Sequence, residues 1–465
     1  MNLLALAAIA APAFAAETFA GRTFYFGDLH VHTGVSLDGG ASDLKNCVDP
    51  TVCGSLADVF TTAQDNGLDF VAFSDHSNSD PTTFDNFLSD VIDATTDTFV
   101  TIPSVELLLR WSTAAGGGDI GHKNVYVFQD DDAALAGLGL ADLVGTSSRF
   151  GTCADVWANA ATLSADFGPT LEFAHHPAAS NIMLADWSCH DQTYQPVVEV
   201  YSGWGNSLDF TTDYDPLDAP AEDSTVHEAL ETYGLKVGFV GGTDGHDTRP
   251  GSTCTLDTEW PTTHIYGGGL TMVVLDDEAP FVRSAIYGEM VARRTLVTSG
   301  PPIPAFVQWT TSDGRRHSIG EEMRVRDSDT TTLSVRIPLG WEGYVTDVNA
   351  VGYSDRIGLT EGTPGSWSVV LDNDALPAWL YVEVEVDGAA CYGGVGACGD
   401  GGVDDREMIW SSPAWFTTTD DLDNDGYSYD VDCNDDNRRI NPAARDIANN
   451  GVDENCDGRD ARRPM

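Results

Sequence analysis

One pattern constrains the fold of this chain more than any other: a short apolar run that ends, again and again, in histidine or a carboxylate. Phe24-Tyr25-Phe26 leads into Gly27-Asp28-Leu29-His30-Val31-His32, and Phe70-Val71-Ala72-Phe73 into Ser74-Asp75-His76. Glu106 follows Ile102-Pro103-Ser104-Val105. Further runs lie at Asn124 to Phe128, Thr170 to Ala174, Val197 to Tyr201 and Val237 to Val240, about seven in all. His175-His176-Pro177 closes one, and Thr243-Asp244-Gly245-His246 closes the last. Helical patterns such as Ser55 to Asn66 separate the runs, and buried strands alternating with helices define an α/β class. In a β/α barrel the C-terminal strand ends build the active site. The pattern therefore predicts a distorted seven-stranded β/α barrel over residues 19–300, with its polar groups converging at one end.

The chemistry of those groups is that of a metal centre. Alternate residues of a strand share a face, so His30 and His32 present two imidazoles side by side. Asp38 sits in a Ser36-Leu37-Asp38-Gly39 loop, His122 precedes the fourth strand, and of eleven histidines only His317 lies beyond Gly300. Carboxylates and imidazoles gathered in one cavity are costly to desolvate unless cations compensate them. Mixed imidazole and carboxylate ligands suit zinc, manganese or iron rather than calcium, and two or three such ions lower the pKa of a bridging water.

These residues resemble the PHP (polymerase and histidinol phosphatase) superfamily of trinuclear metallophosphoesterases, and specifically its secreted branch; the likeness covers about Phe24 to Gly300. It implies a first metal held by His30, His32, Glu106 and Asp244. A second would take the bridging Glu106 with His122 and His176, and a third Asp38, His76 and His246. Asp38 stands where many relatives have histidine. His176 is preferred to His175 on the family's His-Pro pairing, which leaves His175 as a supporting group or proton donor. Asp28 and Asp75 are candidates to orient the imidazoles or to cap loops. Arg249, three residues past His246, is a candidate to grip a phosphate through its two-pronged guanidinium, or simply to pair with an acidic surface. Lys123 adjoins His122 and is expected to point the other way.

Charge excludes one class of partner. With 73 acidic and 23 basic residues in 465, the net charge is -50, which repels phosphate backbones and argues against nucleic-acid binding through a basic face. Met1 to Ala16 is apolar and ends in Ala13-Phe14-Ala15, the small-x-small pattern of a signal peptide, and it is too short to span a bilayer. No other segment is long and apolar enough to do so. The expectation is export, to the periplasm or the cell surface and beyond. Export admits disulfides among nine cysteines: Cys47 with Cys53, Cys391 with Cys398 and Cys433 with Cys456 are close pairs, and Cys153, Cys189 and Cys254 leave one sulfur over.

After a helix candidate from Phe281 to Arg294 and the stop at Ser299-Gly300-Pro301-Pro302, strand-like alternation at Thr332 to Ile337, Ser366 to Leu371 and Leu380 to Val386 predicts a β-sandwich over 301–419. The segment 420–465 is rich in Asp, Asn and Gly. Asp421, Asp423 and Asp425 occupy positions 1, 3 and 5 of a calcium loop, Gly426 position 6 and Asp432 position 12. A partial copy runs through Asp453, Asn455 and Asp457 to Gly458. The segment resembles the metal-binding repeat appended to many secreted proteins of myxobacteria and relatives, which implies a role in stability or surface attachment.

Together these readings describe an exported metal-dependent phosphoesterase acting on a small-molecule phosphate ester. Hydroxide bridging two transition-metal ions attacks phosphorus, and the tail binds calcium. Two alternatives stay open: an amidohydrolase, disfavoured because no lysine ends a barrel strand, and a non-catalytic metal-binding surface protein. The oligomeric state is not legible.

Overall fold

The computed structural model describes residues 17–19, 21–36, 55–110, 119–145, 152–179, 184–209, 221–251, 268–300, 302–387 and 406–462. Met1 to Ala16, Asp38 and the expected pairs Cys47–Cys53 and Cys391–Cys398 fall outside these residues, as does Cys254. The fold is mixed α/β with more strand than helix, arranged in several sheets.

The largest sheet begins with three parallel strands, Val100–Ile102, Phe70–Phe73 and Arg22–Val31. These are the first apolar runs of the sequence, and Phe70–Phe73 is buried at every position, as befits a parallel strand covered on both faces. Leu270–Asp276 and Thr295–Thr298 extend the sheet antiparallel. Two three-stranded sheets stand beside it: Ser104–Arg110, Asp119–Val127 and Thr170–Ala174 in antiparallel register, and Val197–Ser202 paired in parallel with Gly238–Gly241 and capped by Gly205–Asn206. Among the described residues, hydrogen bonding does not close these sheets into a cylinder. One break falls at Pro103, which has no N–H to donate and separates Val100–Ile102 from Ser104–Arg110. Single bridges cross two other seams, Val31 with Gly245 and His76 with Glu106.

The helices are shorter than their patterns: Val59–Asp65 within the Ser55 to Asn66 window, and Arg283–Val291 within Phe281 to Arg294. Pro81–Asp93 starts at Asp80, whose side chain accepts from Thr83 N, and buries Phe84, Phe87, Leu88, Val91 and Ile92. Cys153–Phe167 opens with a reciprocal capping box between Thr152 and Asp155. Its first residue is bonded to Cys189, so two of the three sulfurs left unassigned by sequence pair with each other.

The sheet does not stop at Gly300. Thr295–Thr298 pairs with Arg406–Ser411, and that strand with Trp379–Asp387, so the histidine-bearing half and the following β-rich half share one sheet. A second sheet of five strands, including Phe306–Thr311, Thr330–Arg336 and Ser366–Asp372, supplies Trp309, Leu333, Val335 and Trp367 to a core whose other wall is Phe24, Met272, Leu380, Val382 and Val384. The alternation of Phe306–Thr311 and Thr330–Arg336 is the cause: every second side chain is buried in that core.

Residues 420–462 carry little regular structure and lie against Glu322–Arg326, an edge strand of the largest sheet, through arginine. Arg326 Nε donates to Asp435 Oδ2 at 2.8 Å, and Arg324 donates to the carbonyls of Asp421 and Leu422. Among the described residues no helix is long and apolar enough to cross a membrane.

Candidate metal centre

The cluster starts from two alternate residues of one strand. His30 and His32 are fully buried, on one face of Arg22–Val31 and the residue after it, with their Nε2 atoms 3.3 Å apart. Glu106, on Ser104–Arg110, brings its carboxylate beneath them. Five imidazole nitrogens surround that single group: His122 Nδ1 at 2.6 Å, His76 Nδ1 at 2.9 Å, His175 Nε2 at 3.1 Å, His32 Nε2 at 3.2 Å and His30 Nε2 at 3.7 Å. Burial opposes ionisation of Glu106, yet the charge of His76, His175 and His122 holds its carboxyl well below the ordinary range. His30 shows the converse: burial disfavours its cation, but Asp244 and Glu199 raise its pKa well above the usual imidazole value.

His122 lies within a strand rather than before one. Asp119–Val127 pairs Asn124 with Glu106, so His122, two residues earlier, shares the face of Glu106. Lys123 takes the opposite face, where its Nζ reaches Gln195 Oε1 at 3.2 Å and lies over the Trp157 ring.

Asp244 enters from the loop after Gly238–Gly241. Its Oδ1 stands 3.1 Å from His32 Nε2 and 3.3 Å from His30 Nε2, while Trp204 Nε1 donates to its Oδ2 at 2.6 Å. Close approach of that loop requires a glycine: a Cβ on Gly242 would sit 2.4 Å from the Cβ of His30. Asp244 has φ 51° and His176 φ 32°, left-handed conformations that non-glycine residues hold only under constraint and that concentrate at functional sites. His246 stacks on His32 with ring centroids 4.1 Å apart. His76 and His246 retain 12% and 14% side-chain exposure where His30 and His32 have none, so the cluster opens toward solvent on their side.

Of the nine ligand positions expected, eight are described and all converge here; Asp38 lies outside the described residues. Donor atoms fall into groups that fit a metal ion: His30, His32 and Glu106; His122, His175 and His176; and His32, His76 and His246. Both His175 and His176 are therefore placed among the donors. The buried nitrogens His122 Nε2 and His176 Nδ1 have no hydrogen-bond partner, the state expected of imidazole lone pairs reserved for a cation.

Asp28 and Asp75 do not touch the imidazoles directly. Asp28 accepts from Thr243 N, Thr243 Oγ1 and Gly251 N, which clamps the Asp244 loop onto the first strand. Asp75 accepts from the backbone and hydroxyls of Thr33 and Ser36. Ser36 Oγ in turn lies 3.3 Å from His32 Nδ1, so Asp75 acts on His32 through a hydroxyl. Arg249 is buried on the loop that carries Asp244 and His246.

Sequence reading missed Glu199. It is buried in the middle of Val197–Ser202, with Oε2 2.9 Å from His30 Nδ1 and Oε1 3.4 Å from His175 Nδ1. A lone glutamate inside Val197-Val198-Glu199-Val200 was the available signal, since an ionisable group in an otherwise fully buried run needs a partner.

The tail contains two loops of the same construction. Asp421 accepts from Asp425 N and Gly426 N; Asp453 accepts from Asp457 N and Gly458 N. In each, position 4 has positive φ (Asn424 60°, Cys456 57°) and position 6 is a positive-φ glycine. The second copy thus repeats the first in backbone as well as in sequence. Both oxygens of Asp423, and one each of Asp425 and Asp432, have no hydrogen-bond partner, and burial together with neighbouring carboxylates raises the pKa of Asp423 and Asp432. Cys433 and Cys456 are bonded, as expected from sequence.

Comparison with known proteins agrees at this end of the chain. The family named for copper binding in MopE and described as a "Putative metal-binding motif" matches residues 432–461, which include the second loop and Asp432 of the first. No family match to the PHP superfamily is found. No curated protein and no solved structure matches the chain.

Proposed function

We propose that the chain is an exported metal-dependent hydrolase of PHP type, a phosphoesterase acting on small phosphate esters. The observation that carries this reading is Glu106: one buried carboxylate met by five imidazoles from four segments, with Asp244 also reaching His30 and His32. A structural histidine needs one or two hydrogen bonds, whereas convergence of this kind is what a multinuclear site requires.

Two or three zinc, manganese or iron ions held there would supply a water of lowered pKa and positive charge for the phosphoryl oxygens. The chain's own part is to fix the donors. Glu106 would be a shared metal ligand, Glu199 orients His30, and Asp28 holds Asp244 in register. His76 and His246 line the open side by which substrate enters.

Phosphatase activity toward small monoesters and diesters tests the reading. Asp244→Ala and His30→Ala are expected to abolish activity with the circular dichroism spectrum retained. Full activity in both folded variants would exclude catalysis at this cluster.

A further inference from the structure

The strand that carries Glu199 does a second thing. Val197–Ser202 turns back on itself at Gly203-Trp204 and pairs with Gly205–Asn206, Ser202 opposite Gly205 and Tyr201 opposite Asn206. A reversal this tight needs positive φ, which Gly205 supplies at 106°. The turn is tied to the loop that carries Asp244: Gly203 N donates to Thr243 O at 3.1 Å, while Trp204 N donates to Ser202 Oγ at 3.3 Å. The tip residue is thereby held beside the histidine cluster.

The half-buried indole of Trp204 meets two ligand-bearing loops at once. It packs on the buried Ala178 and Ala179, which follow His176-Pro177, with its ring 5.5 Å from that of His176. Its Nε1 donates to Asp244 Oδ2 at 2.6 Å. His176 and Asp244 are the two cluster residues with left-handed backbone, φ 32° and 51°. The carboxylate of an aspartate turns in a broad torsional well, so its direction depends on what grips it. With Oδ2 taken by the indole, Oδ1 faces His32 Nε2 at 3.1 Å and His30 Nε2 at 3.3 Å. Indole offers one N–H and carries no charge, so it fixes the carboxylate without neutralising it, as lysine or arginine would.

We infer that Trp204 is a positioning residue of the metal centre, aiming Asp244 Oδ1 into the cluster through the Nε1 hydrogen bond to Oδ2; this rests on the reading of the cluster as a metal site. Trp204 does for Asp244 what Glu199 does for His30, and the same hairpin carries both. The hairpin thus orients two ligands that come from other strands.

Cobalt(II) titration of the full chain, stripped of metal and carrying Asp423→Asn and Asp425→Asn to disable the first tail loop, tests the inference. Visible absorption reports the coordination, and competition with a chromophoric chelator the affinity. Trp204→Phe is compared with benzothienylalanine placed at the same position, which keeps the outline of indole but has sulfur instead of the N–H. Each should lower cobalt affinity about tenfold or more and alter the visible spectrum, with the circular dichroism spectrum retained. Because benzothienylalanine keeps the packing on Ala178 and Ala179, it decides the matter even if Trp204→Phe fails to fold. Affinity and spectrum unchanged in the benzothienylalanine chain would overturn the inference and leave the metal centre standing. Absence of cobalt absorption in the chain with Trp204 intact would overturn both.

Discussion

Glu199 Oε2 stands 2.9 Å from His30 Nδ1, and this one contact settles which nitrogen of His30 faces the cluster. With Nδ1 engaged, Nε2 is directed toward Asp244 and Glu106. Partners of this kind fix the tautomer of a ligating histidine, and their loss costs about 10- to 100-fold in metal affinity. Glu199→Gln is therefore expected to fold and to lose transition-metal affinity by that order, measured by competition with a chromophoric chelator. Unchanged affinity would show that the contact is structural only.

His227 carries a pH dependence between the two halves of the molecule. It lies on the short helix Val226–Glu231, 3.1 Å from Tyr381 Oη of the β-rich half, and burial pushes its pKa down to about 4 although Asp209 opposes the shift. The native state resists a proton that the unfolded chain accepts near 6.5. The stabilisation is complete above that value and is lost as pH falls toward 4, by up to about 3 kcal/mol. His227→Gln should flatten the fall in Tm between pH 6.5 and 4, and parallel curves for the two proteins would refute the assignment.

Asp69 runs in the opposite direction. It accepts from Phe26 N at 2.8 Å, and burial raises its pKa to about 7. The folded chain keeps a proton that the unfolded chain releases near 3.8, so stability declines as pH rises from about 4 to 7, by up to about 4 kcal/mol. Asp69→Asn keeps an acceptor for Phe26 N without the charge. It should be more stable than the natural sequence at pH 8 and equal to it at pH 3.5 by urea denaturation.

The tail loops should order around a divalent cation. Asp423, Asp425 and Asp432 repel one another without one. Calcium is expected to slow proteolysis between residues 420 and 462, and Asp423→Asn with Asp425→Asn should remove that protection. Equal cleavage rates with calcium and with chelator would exclude a calcium loop.

Much of the candidate site was legible because its ligands follow apolar runs. His30, His32, His76, Asp244 and His246 stand at or just after strand ends, where local periodicity and chemistry coincide, whereas Glu106, expected to close a strand, lies inside Ser104–Arg110 because Pro103 breaks the run before it. Glu199 was missed, since it interrupts a strand instead of ending it: its lone charge in an apolar run signals a buried partner, but only the fold shows that the partner is His30. Asp28 and Asp75 were expected either to orient imidazoles or to cap loops, and their oxygens hold loops, a choice fixed by contacts 215 and 42 residues away in sequence.

The same distance effect hid the continuity of the main sheet. Thr298 pairs with Ile409 across more than a hundred residues, and nothing in either strand announces the other. The composition change after Gly300 marks a change in strand character while the sheet itself continues. Barrel closure likewise depends on register between strands: Pro103 is visible in the sequence, but the pairing it interrupts is not.

The central claim is that the histidine cluster is a multinuclear transition-metal centre. The most direct test is elemental analysis of the full chain purified without chelator, beside Asp244→Ala and beside the tail variant carrying Asp423→Asn and Asp425→Asn. Two to three zinc, manganese or iron ions per chain, retained in the tail variant and lost in Asp244→Ala, is the result expected. Calcium alone, lost with the tail substitutions, would contradict the account.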